Sequence, residues 1–326
     1  MEHFYNIYGI KFRIRTNNRL MSFRLRRALE LFKVRRLKKD IDVKLDFIYL
    51  RNKVFKFRLP KDAQLLGSFI LNLNGQKVKG STYYKDNKIF LIQEKLMYSH
   101  WDEQGGSCFI FSNSYINSRW LNYLINTSIL DILSRKGYFP IHAAGTVINK
   151  KGVLFAGDSG SGKSTTTAYL IKKGFGFLGD DTVVLRNKSK VWIYPFSPYI
   201  SSDNSNFFSH FFKNKNISQI KKITYYWFKE KGKFFLNIKK FNPNLFIKKS
   251  PLALIFFPIL SKRDECKVKR ISIQEASCRL LRQVTSIGED KEKILLVNFL
   301  AMNVNCYKLY LGKNLKGLEA KIKTLI

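Results

Sequence analysis

Residues 157–164 read Gly157-Asp158-Ser159-Gly160-Ser161-Gly162-Lys163-Ser164. They fill every fixed position of the pattern G-x-x-x-x-G-K-[ST]. The apolar residues Val153, Leu154, Phe155 and Ala156 come just before, and residues 165–173 carry a helix-forming pattern. A strand, a glycine loop and a helix in that order is the context the pattern needs. The glycines let the backbone turn its N–H groups toward a concave anion site at a helix N-terminus. Lys163 has the reach to meet β- and γ-phosphates, and the Ser164 hydroxyl is a ligand type suited to Mg²⁺. The expectation is a nucleotide site made by residues 157–164, extended by Thr165.

A phosphate loop needs carboxylate partners. Asp180 and Asp181 lie sixteen and seventeen residues beyond Ser164, a span that fits one helix and one short strand. Neighbouring residues on an extended strand point opposite ways, so the two carboxylates suit two different jobs. One takes Mg²⁺, directly or through water, and the other accepts a proton from a hydroxyl nucleophile. If both point inward, burial and mutual repulsion raise one pKa, which suits a base. Gly179-Asp180-Asp181 is also good turn chemistry in its own right. His142 precedes the hairpin that delivers the loop strand. It could contact a phosphate or tune the base, while taken on its own it reads as a satisfied core histidine.

The 326 residues are 45% hydrophobic, enough for a core and for one large domain or two ordinary ones. The expected division is a β-rich α+β domain over 1–115 and an α/β nucleotide-binding domain over 116–326. Strands are expected at 7–15, in a pair over 43–59 turning near Asn52, at 88–96, 108–111, 141–148, 175–178, 182–185 and 252–257. Helices are expected at 119–134, ended by Gly137, at 165–173, from a capping box at Ser272 to about 284, and at 313–324. Residues 203–216 read as loop.

The formal charge of +36 attracts polyanions such as nucleic acid, acidic peptides and anionic lipid. A chain rich in Lys, Asn, Ile, Phe and Tyr reaches such a charge through composition alone, and both explanations stay open. In residues 17–39, Leu25, Ala28, Leu29 and Phe32 share one helical face, ringed by Arg24, Arg26, Arg27, Arg35 and Arg36. That is an ordinary surface helix, or a basic amphipathic one that meets a membrane surface peripherally or an acidic partner. Residues 221–249 interleave Lys with aromatics, as alternating strands with a basic face do, and as a single-strand nucleic-acid platform does. The four cysteines contain no C-x-x-C, so neither a zinc site nor a disulfide framework is indicated. The longest apolar run, 251–260, is too short to span a bilayer. With no leader pattern at residues 1–5, the expected location is cytoplasmic, with reduced thiols.

Ile141-His142 ahead of a hairpin, the loop at 157–164 and Gly179-Asp180-Asp181 together resemble the catalytic domain of the HPr kinase/phosphorylase family. Ile141-His142-Ala143-Ala144 and residues 272–281 are more similar to the HPr-kinase-related serine kinases. The resemblance covers about residues 135–290. It implies a P-loop fold of the phosphoenolpyruvate-carboxykinase kind, and ATP- and Mg²⁺-dependent phosphorylation of a serine on a peptide or protein. It further implies that Lys163 holds phosphates and Ser164 the metal. Asp180 would be the base, Asp181 the metal-side carboxylate and His142 a phosphate-proximal modulator. Two departures stand out. Thr165 replaces the family's Glu, and the R-G-L-G-I-I-N-V signature of true HPr kinases has no counterpart, so neither HPr as substrate nor phosphorolysis follows. The alternative expectation is an ATP-binding regulatory or nucleic-acid-associated P-loop protein without kinase activity.

Overall fold

Tyr8 and Gly9 adopt φ of 55° and 98°, the left-handed pair that closes a tight two-residue hairpin. They split the expected strand at 7–15 into β1 (Glu2–Ile7) and β2 (Ile10–Thr16), paired antiparallel. The structure is a computed structural model and describes residues 1–37, 40–50, 58–73, 76–93, 96–111, 118–202, 227–230, 233–285 and 290–326. The chain is mixed α/β, mostly strands in several sheets. It forms two compact units, Met1–Lys136 and Gly137–Ile326.

In the first unit, α1 (Arg19–Ala28) starts where the Asn18 side chain accepts the Met21 N–H at 2.9 Å. The helix buries Met21 and Leu25, and Leu29 follows them into the core. Next come β3 (Lys33–Val34), β4 (Val43–Tyr49), β5 (Gln64–Leu73), β6 (Gln76–Lys85), β7 (Lys88–Gln93), β8 (Met97–Asp102), β9 (Gly105–Ile110) and α2 (Ser118–Arg135). The nine strands form one sheet in the order β3-β1-β2-β4-β9-β8-β7-β6-β5. Within it, β2·β4 and β4·β9 are the parallel pairs. The strand expected over 43–59 therefore pairs with distant partners, and the turn expected at Asn52 lies outside the described residues. The apolar stripe of α2 is buried at Leu121, Leu124, Ile125, Ile129, Ile132 and Leu133. Asp131, also buried, accepts from Trp101 Nε1 at 2.9 Å and from Arg135 Nε at 3.0 Å. The boundary expected at 115/116 places this helix with the second unit; it lies in the first.

The second unit opens with β10 (Phe139–Ile141), β11 (Ala143–Ile148) and β12 (Lys151–Ala156). Asn149 and Lys150, at φ of 50° and 60°, make the expected hairpin between β11 and β12. Then follow α3 (Lys163–Lys172), β13 (Gly176–Gly179), β14 (Val183–Asn187), β15 (Val191–Pro195) and β16 (Tyr199–Ser202). After them come β17 (Trp227–Glu230), β18 (Lys233–Asn237), α4 (Ile238–Phe241), β19 (Ser250–Leu260), β20 (Lys267–Arg270), α5 (Ile273–Leu281), α6 (Asp290–Asn303), β21 (Asn305–Leu311) and α7 (Leu318–Lys323). The main sheet runs β10-β14-β15-β19-β12-β11-β13, with β21 beside β19 and β20 beside β21. The strands β12, β19 and β21 are mutually parallel. A smaller sheet, β16-β18-β17, is hydrogen-bonded separately and packs Ile200 and Leu236 against Ala168, Ile171 and Phe177. The loop expected at 203–216 lies outside the described residues, as does part of the strand region at 221–249.

Strand alternation explains why β12 and β19 read as unbroken apolar runs. Leu154, Ala156, Ile255 and Phe257 face one way and pack with Ala276 and Leu280 of α5 and Leu296, Val297 and Leu300 of α6. Val153, Phe155, Leu254 and Phe256 face the other way, with Leu170 of α3 and Leu318 and Ile322 of α7. Both faces are covered, the condition under which parallel strands lose their polar alternation. Each such side chain contributes about 1.5–3 kcal/mol by leaving water. The central strand β12 holds the glycine loop at its C-terminal end.

Candidate functional site

The backbone leaves β12 at Ala156 and enters α3 at Lys163. Gly160 takes φ of 82° and Gly162 takes φ of 99°, serving as the left-handed N-cap of α3. A Cβ at Gly162 would lie 2.4 Å from Leu311 Cδ1. Only glycine accepts both the conformation and the closeness. Lys163 is buried and folded back on this loop, donating from Nζ to the carbonyls of Gly157 (2.6 Å) and Asp158 (2.9 Å). Ser159, Gly160 and Thr165 are exposed, and Ser161 Oγ is buried without a hydrogen-bond partner among the described residues.

Ser164, in the first turn of α3, turns its hydroxyl to the end of β13. Its Oγ donates to Asp180 Oδ1 at 2.7 Å. Asp180 Oδ2 accepts from the Ser201 N–H at 3.0 Å and from Ser201 Oγ at 3.3 Å. Asp180 is 4% exposed. Burial pushes its carboxyl up from the ordinary 3.8, against the bonds from Ser164 and Ser201 that favour the charged form, while the charge of Asp181 adds to the rise.

Asp181 points the other way. Its side chain is 78% exposed and its Oδ1 lies 3.3 Å from His142 Nε2. Its φ of 68° is left-handed, a strained state that Asp tolerates better than most residues and that concentrates at functional sites. His142 sits between β10 and β11, and its main-chain N–H donates to the Gln283 carbonyl at 2.7 Å. The loop, Ser164, Asp180, Asp181 and His142 thus belong to adjoining elements of one unit.

Two further residues enter the site. Ser201, on β16 of the small sheet, grips Asp180. Gln283, just past α5 and 4% exposed, donates from Nε2 to Asp158 Oδ1 at 3.1 Å. Neither carries a sequence signal. Ser201 is brought in by a separate sheet, and Gln283 lies beyond the helix that its capping box announces.

The donor set offers one hydroxyl and one carboxylate. Among the described residues no group of three or more His, Cys, Asp or Glu stands ready to hold a metal unaided. A hydroxyl and a carboxylate are the hard oxygen donors that Mg²⁺ takes alongside water and phosphate oxygens. These residue types fit a Mg²⁺–nucleotide pair: Ser164 and Asp180 would hold the cation, and the loop N–H groups and Lys163 would hold the phosphates.

No protein-family model matches the chain, and no curated protein matches it. Among solved structures it is similar to the Hpr(Ser) kinase/phosphatase from Coxiella burnetii. The identity is 16% and the TM-score 0.28, over 57% of this chain and 92% of that one. A likeness at that score carries no functional weight. Among the described residues no helix is long and apolar enough to cross a membrane.

Proposed function

We propose that the second unit is a P-loop, ATP- and Mg²⁺-dependent kinase that phosphorylates a serine hydroxyl on a peptide or protein in the cytoplasm. The observation that carries this reading is the split between the two neighbouring carboxylates. Asp180 is buried on the Ser164 hydroxyl at 2.7 Å, and Asp181 is exposed beside His142 at 3.3 Å.

On that ground the two roles expected from the sequence, Asp180 as the base and Asp181 as the metal-side carboxylate, are exchanged. Asp180 is 4% exposed and accepts hydrogen bonds on both oxygens, an arrangement that favours a metal-side role over contact with an arriving serine. Asp180 therefore serves the metal side with Ser164. Asp181 faces solvent, where an acceptor arrives, and takes the serine proton. His142 orients Asp181 and shares the charge it gains or loses. The deprotonated serine oxygen forms the new bond to phosphorus as the bond to the departing diphosphate breaks. Mg²⁺, when bound, screens the phosphate oxygens. Lys163 and the loop N–H groups hold the triphosphate in line, so catalysis is mainly positioning and charge neutralisation.

The test is transfer of label from γ-³²P-ATP, with Mg²⁺, to a degenerate library of serine peptides. The expected result is phosphoserine. Asp181→Asn is expected to lower transfer by about 10²–10⁴-fold, the usual worth of a positioned base, while nucleotide affinity stays within about twofold. Label recovered only as free phosphate, or turnover that rises only with RNA or DNA, contradicts the kinase reading and favours the regulatory or nucleic-acid alternative.

A further inference from the structure

Gln283 touches both halves of the site. Its main-chain carbonyl accepts the His142 N–H at 2.7 Å, and its own N–H donates to the Leu280 carbonyl at 2.9 Å. The next two residues reinforce the seam. Val284 bridges Ile141 antiparallel, and the Thr285 N–H donates to the Pro140 carbonyl at 3.1 Å. From this fixed backbone the side chain reaches the glycine loop, where Nε2 donates to Asp158 Oδ1 at 3.1 Å. The side-chain carbonyl Oε1 is buried with no hydrogen-bond partner among the described residues.

Asp158 is a negative charge inside a loop whose N–H groups and helix end favour anions. Left unrestrained, its carboxylate competes with phosphate for those donors and repels it. A neutral amide holds that carboxylate aside without adding a charge that would itself attract or repel the nucleotide. The unpartnered Oε1 marks a side chain kept in place for something other than its own hydrogen-bond satisfaction.

We infer that Gln283 is a positioning residue: it holds the Asp158 carboxylate out of the anion cradle and registers the loop against His142 and Asp181. This rests on the phosphate-loop reading. Removing the amide frees a repulsive charge, so the loss falls on nucleotide binding, and neutralising that charge repairs it.

The experiment titrates a fluorescent ATP analogue with Mg²⁺ against the full chain. Gln283→Met, similar in length but without a donor, is expected to weaken binding about tenfold, as for one lost charge-assisted hydrogen bond. Adding Asp158→Asn to that variant is expected to restore affinity to within about twofold of the original chain. A merely structural role predicts no such rescue. If Gln283→Met fails to fold, Gln283→Asn, one methylene too short to keep the contact, is expected to show the same loss and the same rescue. Unchanged affinity in the single variant, or no rescue in the double, overturns the inference alone. Absence of binding by the unsubstituted chain overturns the nucleotide reading, and the inference with it.

Discussion

At the residue scale the site rests on charges held under different solvation. Lys163 donates to the Gly157 and Asp158 carbonyls, bonds that a triphosphate bound as proposed would replace with charge-assisted ones. Lys163→Ala is expected to weaken Mg²⁺–ATP binding by about tenfold or more, measured by the same titration; unchanged affinity would remove the loop from the account. Asp180 gives a pH signature. Its folded pKa lies above the ordinary 3.8 because burial disfavours the charge. The folded chain holds that proton more tightly than the unfolded chain. Its contribution to stability is therefore present below the unfolded value and is lost as pH rises through the folded one. Asp180→Asn is expected to flatten that fall in denaturant midpoints taken upward from about pH 4, and to raise the Mg²⁺ concentration that turnover requires. An unaltered pH slope and Mg²⁺ response would refute the metal-side role. The residue types at 142, 157–165, 180 and 181 are legible in the sequence because each is tied to a spacing. Which carboxylate is buried is not, since it depends on Ser201, brought in by another sheet.

At the element scale the chain is legible where local chemistry speaks alone. The N-cap expected at Ser272 forms, its hydroxyl accepting the Glu275 N–H at 3.2 Å, while the Glu275 carboxylate turns to Arg279 and Lys308. The α2 stripe needs only helical spacing, and the hairpin before β12 needs only Asn149 and Lys150. Long-range partners hide the rest. Pattern alone makes β4 half of a local pair, yet it joins β2 and β9 in parallel. The helix α6 gives no sequence signal because its apolar residues run round the cylinder. Leu296, Val297 and Leu300 are buried while Ile294 and Leu295 are exposed, so no stripe shows. The loop makes its own element-scale prediction. Gly162→Ala puts a Cβ on a left-handed residue, which costs about 1–2 kcal/mol, and presses it against Leu311. A lower denaturant midpoint with weakened nucleotide binding is expected. A variant equal to the original in both would show that the N-cap does not need glycine.

At the scale of the whole molecule, the second unit follows from covering both faces of one sheet. The apolar alternation of β12 and β19 demands helices on each side, and α5 and α6 on one face and α3 and α7 on the other supply them. The glycine loop then sits at the C-terminal end of a central parallel strand, where sheets of this kind place ligands. The charge of +36 is plain from composition, yet composition does not locate a partner, because a basic surface serves any polyanion alike. The most direct measurement is a crystal structure of the chain with Mg²⁺ and a non-hydrolysable ATP analogue. The account predicts phosphates in the loop at 157–162, Lys163 Nζ moved from the Gly157 and Asp158 carbonyls onto them, the cation beside Ser164 and Asp180, and Asp181 facing the terminal phosphorus. A nucleotide seated elsewhere, with Lys163 still on its own loop, would contradict it.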